Sequence, residues 1–166
     1  MPRIIAVSSQ KGGIGKTTTA ANLALAWAHE GRRVLVVDLD PQFALTRRFG
    51  TSPTSAPATV YDLLVGNGRL LDAIVPVGAG VDLLAGRREL AKLELSLAAE
   101  HHREQFVGDL LAGEAIGYDV VIIDCPPNLG LLTVNAIVAA SEVLVPVNMT
   151  DEGALQGAAE VRAIVA

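Results

Sequence analysis

Residues 4–19 read IIAVSSQKGGIGKTTT, which joins a short apolar run to a glycine-rich loop and to the start of a helical pattern. A strand, a glycine loop and a helix in this order are typical of a phosphate cradle. Glycines let successive backbone N–H groups point at one anion, and the helix N-terminus adds partial positive charge. We expect Lys16 to reach the β- and γ-phosphates of a nucleotide and the Thr17 hydroxyl to ligate Mg²⁺.

The loop departs from the phosphate-loop consensus G-x-x-x-x-G-K-[ST], because Gln10 occupies the position of its first glycine. It carries a second lysine, Lys11, instead. Only three of the thirteen basic residues are lysines, and two of these three, Lys11 and Lys16, lie in this loop. Since lysine is a compact point charge and arginine a planar fork, this selective use of lysine favours close contact with phosphate oxygens.

Apolar runs rich in valine and isoleucine alternate with helical stretches along the rest of the chain. Because such runs predict burial on both faces, we expect an α/β fold with a mostly parallel central sheet flanked by helices, as a single domain over residues 1–166. The predicted strands are Ile4–Val7, Val34–Val37, Val81–Leu84, Val120–Ile123 and Val143–Val147. The predicted helices are Lys16–Glu30, closed by Gly31, then Thr59–Leu64, Glu89–Leu111, Leu131–Ala140 and a last one from about Gly153.

Composition narrows the possible functions. Hydrophobic residues make up 51% of the chain and charged residues 19%, which excludes intrinsic disorder. The net charge of -5 gives no global basic field for nucleic acid or anionic lipid. The single cysteine, Cys125, cannot form an internal disulfide and is interpreted as a buried side chain, and no apolar run is long enough to span a membrane. We therefore expect a cytoplasmic location.

Carboxylates follow two of the predicted strands. Asp38 and Asp40 end one strand and face the same side, and Asp124 ends another. Ligands of open α/β sheets bind at the carboxyl ends of strands, and an acid after an apolar strand typically holds Mg²⁺ directly or through water. Together with the glycine loop, these acids predict a site for Mg²⁺ and a nucleoside triphosphate.

Three motifs now carry a family signature: KGGIGKTTT from Lys11, DLDPQ from Asp38 and IDCPP from Ile123. In these motifs the sequence resembles the ParA/Soj family of partition ATPases, within the ParA/MinD group with a deviant Walker A motif. Shorter matches fall in the family's order and extend the resemblance over nearly the whole chain: Thr59–Leu64, Asp72–Ile74, Val81–Leu84 and Leu131–Ala136.

The resemblance implies an ATP-dependent dimerising switch for plasmid or chromosome partition, which hydrolyses ATP to ADP and phosphate and is weak without a partner. Lys11 would reach across the dimer to the partner's phosphates, and Asp40 would orient the attacking water, so these two are the implied catalytic residues. The implied magnesium residues are Thr17, Asp38 and Asp124. The implied nucleotide-binding residues are Lys11, Gly12, Gly13, Ile14, Gly15, Lys16, Thr17 and Thr18.

The resemblance also implies partners. In the family, the ATP-bound homodimer binds DNA nonspecifically, and a ParB-type activator stimulates hydrolysis, so the complete protein would be associated with the nucleoid. We expect a C-terminally truncated domain, because Ala158–Ala166 has a helical pattern without a stop signal. The DNA-binding and adenine-recognition residues would then lie beyond Ala166. No membrane partner is expected.

Some features depart from the family or leave alternatives open. Phe43 and Ala44 stand where the family often has Gly-Asn, and residues 151–157 lack an aromatic pair common there. A MinD-like ATPase, another cargo-positioning ATPase of the same group, and a metabolic or iron–sulfur relative remain as alternatives. Asp-Pro-Gln disfavours the MinD-like ATPase, and the single cysteine disfavours most iron–sulfur carriers, whereas the sequence does not separate other cargoes from partition. The arginine pairs at 32–33, 47–48 and 87–88 are interpreted as solvated surface charges rather than DNA contacts.

Overall fold

The computed structural model describes residues 1–97, 100–148, 159 and 161–163, without the side chains of residues 95, 113, 114 and 116. The strands in this part are β1 (Arg3–Val7), β2 (Val34–Asp38), β3 (Val75–Gly78), β4 (Val81–Leu84), β5 (Val120–Asp124) and β6 (Glu142–Leu144). The helices are α1 (Lys16–His29), α2 (Ala44–Arg48), α3 (Val60–Leu64), α4 (Leu70–Ala73), α5 (Leu90–Leu97), α6 (Phe106–Glu114) and α7 (Leu131–Ala139).

The strands form one sheet in the order β3-β4-β2-β5-β1-β6, and each pairing is parallel except that of β3 with β4. This confirms the predicted α/β fold with a mostly parallel sheet. The register places Asp124 beside Val7 on one side and beside Asp38 on the other. The glycine loop that follows Val7 therefore meets both acidic strand ends at one edge of the sheet.

The two central strands are buried on both faces, as their unbroken apolar sequences predict. Every residue of β2 and β5 is buried. Alternate residues pack into different hydrophobic clusters, with Val36 and Ile122 on the face covered by α1 and Val37 and Ile123 on the face covered by α3, α6 and α7. The alanines of α1 that point to the sheet let this helix lie close to it, which holds the start of α1 firmly against the strand ends.

Two predicted helices are confirmed with their end signals. Helix α1 ends one residue earlier than expected, and Gly31 adopts a φ of +82° directly after it. Helix α3 begins after Thr59, whose backbone N–H and hydroxyl both donate to the carboxylate of Asp62, at 2.8 and 2.6 Å. This reciprocal cap is the one that the Thr-x-x-Asp spacing predicts.

The predicted helix Glu89–Leu111 is wrong, because the structure has two helices, α5 and α6, with a turn before α6. In this turn His102 has a left-handed φ of +56°. The buried side chain of Asn135 on α7 explains the turn. Its amide donates to the carbonyl oxygen of Arg103 at 2.7 Å, and its Oδ1 accepts from the N–H of Val107 at 3.2 Å. A distant residue therefore satisfies backbone groups that a continuous helix would have paired locally.

Other differences lie at the sheet edges and the chain end. Strand β3 was not predicted; it pairs antiparallel with β4 through a turn in which Gly78, Ala79 and Gly80 all have positive φ. Helices α2 and α4 were also missed, and β6 is shorter than the predicted Val143–Val147. The helix predicted from about Gly153 lies outside the described residues, apart from residues 159 and 161–163, which are helical. No helix in the described part is long and apolar enough to cross a membrane.

The contacts of Asn135 generate a stability prediction. Asn135→Ala removes three hydrogen bonds from a buried position and leaves the Arg103 carbonyl and the Val107 N–H without this partner. We expect the free energy of unfolding to fall by about 1–3 kcal/mol, measured by urea denaturation. The control is Asn22→Ala on the exposed side of α1, which should change stability by less than about 0.5 kcal/mol. Equal effects of the two substitutions would contradict the role given to Asn135.

Candidate functional site

The loop between β1 and α1 borders a cleft of about 260 Å³ at the carboxyl edge of the sheet. Gly13 and Gly15 have φ angles of +73° and +94°, which only glycine adopts without strain. A Cβ added at Gly12, Gly13 or Gly15 would meet no protein atom within 4 Å. The loop thus curves around open space of the size that a phosphate group needs.

Lys16, the first residue of α1, is 7% exposed and lines this cleft. Its Nζ donates to the carbonyl oxygen of Lys11 at 3.2 Å. Burial lowers the pKa of the Lys16 ammonium, and the nearby carboxylates of Asp124 and Asp40 act in the opposite direction. The carbonyl oxygen that accepts from this buried ammonium is neutral. An anionic ligand would therefore be favoured, because its negative charge would balance that of the ammonium.

The carboxylate of Asp124 lies behind the cleft and is completely buried. Its Oδ2 accepts a hydrogen bond from the Thr17 hydroxyl at 2.7 Å, whereas its Oδ1 and the Ser8 hydroxyl have no hydrogen-bond partner among the described residues. Burial raises the pKa of Asp124 to about 7, and the charges of Asp38 and Asp40 act in the same direction. An unpartnered buried carboxylate oxygen next to a threonine hydroxyl fits a Mg²⁺ ion, which prefers oxygen ligands.

Asp40 forms part of the opposite wall of the cleft. It is 9% exposed, and its position is fixed by the loop that follows β2. The backbone N–H of Gln42 donates to its Oδ1 at 2.8 Å, and the N–H of Phe43 donates to its carbonyl oxygen at 2.8 Å. The carboxylate is therefore oriented by backbone groups while remaining in contact with the cleft.

Asp38 lies below the cleft, where it joins three segments of the chain. Its Oδ2 accepts from both the N–H and the hydroxyl of Thr46, at 2.7 Å each, and its Oδ1 accepts from the N–H of Asp40 at 3.3 Å. The Thr46 hydroxyl oxygen in turn accepts from the N–H of Gly86 at 2.9 Å. Burial raises the pKa of Asp38 to about 6, and the bonds from Thr46 oppose this rise. A place for Asp38 in a magnesium shell stays a prediction.

The structure brings most of the predicted site residues together. Those that line the cleft are Gly12, Gly13, Gly15, Lys16, Thr17, Thr18 and Asp40, and Asp124 is reached through Thr17. Of the other predicted residues, Lys11 is exposed on the loop, Ile14 is half-buried and Asp38 lies beneath. In the ranges 1–97 and 100–148, no group of three or more His, Cys, Asp and Glu side chains could hold a metal ion. A magnesium ion here would thus depend on few protein ligands, with phosphate and water oxygens as the rest.

Sequence reasoning missed three residues that support the site and one that lines it. Thr46 and Gln42 fix Asp38 and Asp40, Ser8 leaves its hydroxyl buried beside the loop, and Pro127 lines the cleft. Pro127 lies three residues after Asp124, in the IDCPP motif, and could have been included on that ground. Nothing in the sequence distinguishes Thr46 from other threonines. Cys125 is fully buried, as predicted, and burial raises the pKa of its thiol.

Comparisons with known proteins agree with this geometry. A family model described as an AAA domain matches residues 2–166. Sporulation initiation inhibitor protein Soj of Bacillus subtilis is 41% identical over 148 residues, which cover 89% of this chain and 58% of that protein. Chromosome partitioning protein ParA of Caulobacter vibrioides is 43% identical over 147 residues, which cover 87% of this chain and 55% of that protein. The chain thus spans somewhat more than half the length of these relatives.

One solved structure is also similar over nearly the whole chain. Cobyrinic acid a,c-diamide synthase from Mycobacterium smegmatis, with bound ADP and magnesium, superposes with a TM-score of 0.91 at 39% identity. The match covers 99% of this chain and 67% of that one. A protein of the same architecture therefore holds an adenine nucleotide and magnesium, which is consistent with the nucleotide and Mg²⁺ predicted for this chain.

The contact between Gly86 and Asp38 generates a prediction. A Cβ at Gly86 would lie 2.6 Å from the carbonyl oxygen of Asp38, which is too close for van der Waals contact. Gly86→Ala must therefore displace the backbone segment that carries Asp38 and Asp40. We expect a loss of about 1–3 kcal/mol in the free energy of unfolding, together with weaker nucleotide binding. Gly108→Ala is the matched control, because its Cβ would meet α7 only at 3.8 Å and alanine favours the helix. Urea denaturation and nucleotide titration measure both, and a Gly86 variant as stable as the Gly108 variant would contradict the contact.

Proposed function

The chain belongs to the ParA/Soj family of AAA-domain P-loop ATPases, and we propose that it acts as an ATP-dependent, dimerising switch ATPase for chromosome or plasmid partition. The observation that carries the proposal is the pairing of Thr17 with a buried Asp124 behind a glycine loop that presents Lys16. These groups are backbone N–H donors that can bind phosphate oxygens, the buried ammonium of Lys16, and one carboxylate oxygen of Asp124 without a hydrogen-bond partner among the described residues. ATP with Mg²⁺ is the ligand whose charges complement all three.

Binding follows from the groups that line the cleft. The N–H groups of the loop and the first turn of α1 would hold the phosphate oxygens, and the Lys16 ammonium would neutralise their charge. Thr17 and Asp124 would hold the magnesium ion, which when bound shields the charge of the phosphates. Because burial raises the pKa of Asp124, the cation would also favour the ionised form of this carboxylate.

Hydrolysis needs a group that orients water. Asp40 is the carboxylate on the cleft wall, and the Gln42 N–H fixes its orientation without removing it from the cleft. Asp40 would accept a hydrogen bond from the attacking water and hold it in line with the terminal phosphate. Lys11 is exposed on the outer side of the loop, a position that supports contact with phosphates bound by a second subunit.

The names of the curated relatives support partition, whereas the similar solved structure reported above is named as a metabolic synthase. The two curated relatives with the identities given above are a sporulation initiation inhibitor and a chromosome partitioning protein. A nonspecific DNA surface, a ParB-type activator and association with the nucleoid form part of the same proposal for the whole protein. Their support comes from the family, since the net charge of -5 provides no general attraction to DNA in this chain.

Asp40→Ala tests the proposed hydrolytic role. We expect the variant to bind ATP with little change while turnover falls by a factor of about 100 or more, because a positioned general base contributes that much to a rate. Phosphate release measures turnover, and a fluorescent ATP analogue measures binding. Asp109→Ala, an exposed acid on α6, serves as the control. Normal hydrolysis by the Asp40 variant would refute the assignment.

Lys11→Ala tests the proposed dimer. The variant should retain most nucleotide binding, because Lys16 remains, but it should stay monomeric with ATP and Mg²⁺ when the unchanged protein dimerises. Sedimentation or light scattering gives the mass, and Lys92→Ala, which changes an exposed lysine on α5, is the matched control. An unchanged ATP-dependent dimer in the Lys11 variant would be inconsistent with a contact across the interface.

A further inference from the structure

A second cleft lies beside the nucleotide cleft, between the loop that follows β2 and the segment that follows β4. It has a volume of about 450 Å³. Three arginines line it, Arg47 from α2 and the adjacent pair Arg87 and Arg88. The rest of the wall consists of Gln42, Phe43, Pro53, Thr54 and one acid, Glu89, and we refer to this feature as the arginine cleft. The function proposed above does not use it.

Arg87 is held in place by the protein itself. Its guanidinium contacts Glu89 at 2.8 Å and Asp62 at 3.1 Å, and it lies over the ring of Tyr61 at 5.3 Å. Its side chain is 32% exposed. Arg87 is therefore a half-buried charge with internal partners, and Tyr61 packs against the hydrophobic core.

Arg47 and Arg88 differ from Arg87 in their partners. Both are exposed, and neither forms an ion pair with any of the described residues. The guanidinium of Arg47 instead lies over the ring of Phe43, 4.7 Å from its centroid. Glu89 pairs with Arg87, so the unbalanced positive charge of the cleft comes from Arg47 and Arg88, in a chain whose net charge is -5. A guanidinium matches a carboxylate well, because its planar fork can donate two parallel hydrogen bonds.

We propose that the arginine cleft binds the carboxylate side chains of an extended acidic segment of a partner protein. The free guanidinium groups of Arg47 and Arg88 would pair with the carboxylates, and the Phe43 ring and Pro53 would contact the apolar stems. The volume of about 450 Å³ is in the range of pockets that hold whole organic ligands, so a single small anion would leave most of it empty. Charge complementarity and size together favour a peptide segment.

The same loop connects this cleft to Asp40. Gln42 and Phe43 line the arginine cleft, and their backbone N–H groups bond to the carboxylate and the carbonyl of Asp40. The opposite wall, residues 87–89, follows Gly86, whose N–H donates to the Thr46 hydroxyl, which in turn donates to Asp38. An occupant would therefore contact the segment that orients Asp40. Its effect on ATP turnover rests on the proposed function, whereas its binding does not.

The binding test uses the purified protein without nucleotide and a fluorescent polyglutamate peptide, followed by anisotropy. We expect the double variant Arg47→Ala/Arg88→Ala to bind the peptide about ten-fold more weakly, since each charge-assisted pair contributes to affinity. Arg48→Ala is the matched control, because Arg48 is exposed on the same helix but does not line the cleft. It should bind as the unchanged protein does. Arg47→Lys/Arg88→Lys should bind less than the unchanged protein and more than the alanine variant, because lysine keeps the charge but not the fork.

Three results would overturn the proposal. The first is equal peptide binding by the unchanged protein and the Arg47→Ala/Arg88→Ala variant. The second is equal binding of a polylysine peptide. The third is displacement of polyglutamate by citrate or inorganic phosphate when the concentration of the small anion's charged groups equals that of the peptide carboxylates. This result would show a site for small anions.

A turnover measurement separates this proposal from the proposed function. Polyglutamate should change the ATPase rate of the unchanged protein and leave that of the Arg47→Ala/Arg88→Ala variant unaffected. Peptide binding that depends on the arginines but has no effect on a measurable ATPase rate would refute the link to Asp40. If no ATPase activity exists at all, arginine-dependent peptide binding would still support the cleft, and the proposed function alone would fail.

Discussion

The hydrogen bond between the Thr17 hydroxyl and the buried Asp124 carboxylate is the contact on which the site depends. It joins the first turn of α1 to the end of the central strand β5, so the glycine loop must close over the strand ends. Burying an ionised carboxylate costs free energy unless hydrogen bonds or opposite charges stabilise it. Asp124 is fully buried, and only one of its two oxygens has a hydrogen-bond partner among the described residues. A bound cation would supply the remaining stabilisation, which would place a metal site next to the proposed phosphate site.

Three aspartates at the carboxyl edge of the sheet differ in their surroundings and in their hydrogen-bond partners. Asp124 faces the loop, Asp40 faces the cleft, and Asp38 faces the protein and holds Thr46 and thereby Gly86. All three follow apolar strands in sequence, yet their surroundings give them different partners. Burial raises the pKa of both Asp38 and Asp124, but the hydrogen bonds from Thr46 stabilise the charge of Asp38 within the protein. Asp124 retains an oxygen without such a partner.

The local parts of this structure could be predicted from the sequence, whereas contacts between distant segments could not. The loop, α1 and the central strands follow from apolar runs and glycine spacing, because neighbouring residues determine them. Asn135, which lies on α7, interrupts the long helix predicted over Glu89–Leu111 by binding backbone groups of the turn before α6. Thr46 likewise binds Asp38 across the loop that follows β2. Single polar residues of this kind have no periodic pattern. The arginine pairs show the same limit, since only the fold reveals that Arg47 and Arg88 converge.

The left-handed conformation of Phe43 has a consequence for how this loop keeps its shape. Its φ of +43° lies in a region that costs a residue with a side chain about 1–2 kcal/mol, at a position where the family often has glycine. The stacking of Arg47 over the ring offsets part of that cost. A glycine would hold the turn whatever lies nearby, whereas here the turn is conditional on its neighbour. The contact of Arg47 with the Phe43 ring therefore also stabilises the backbone turn beside Asp40, so that the shape of this loop and the position of Arg47 are coupled.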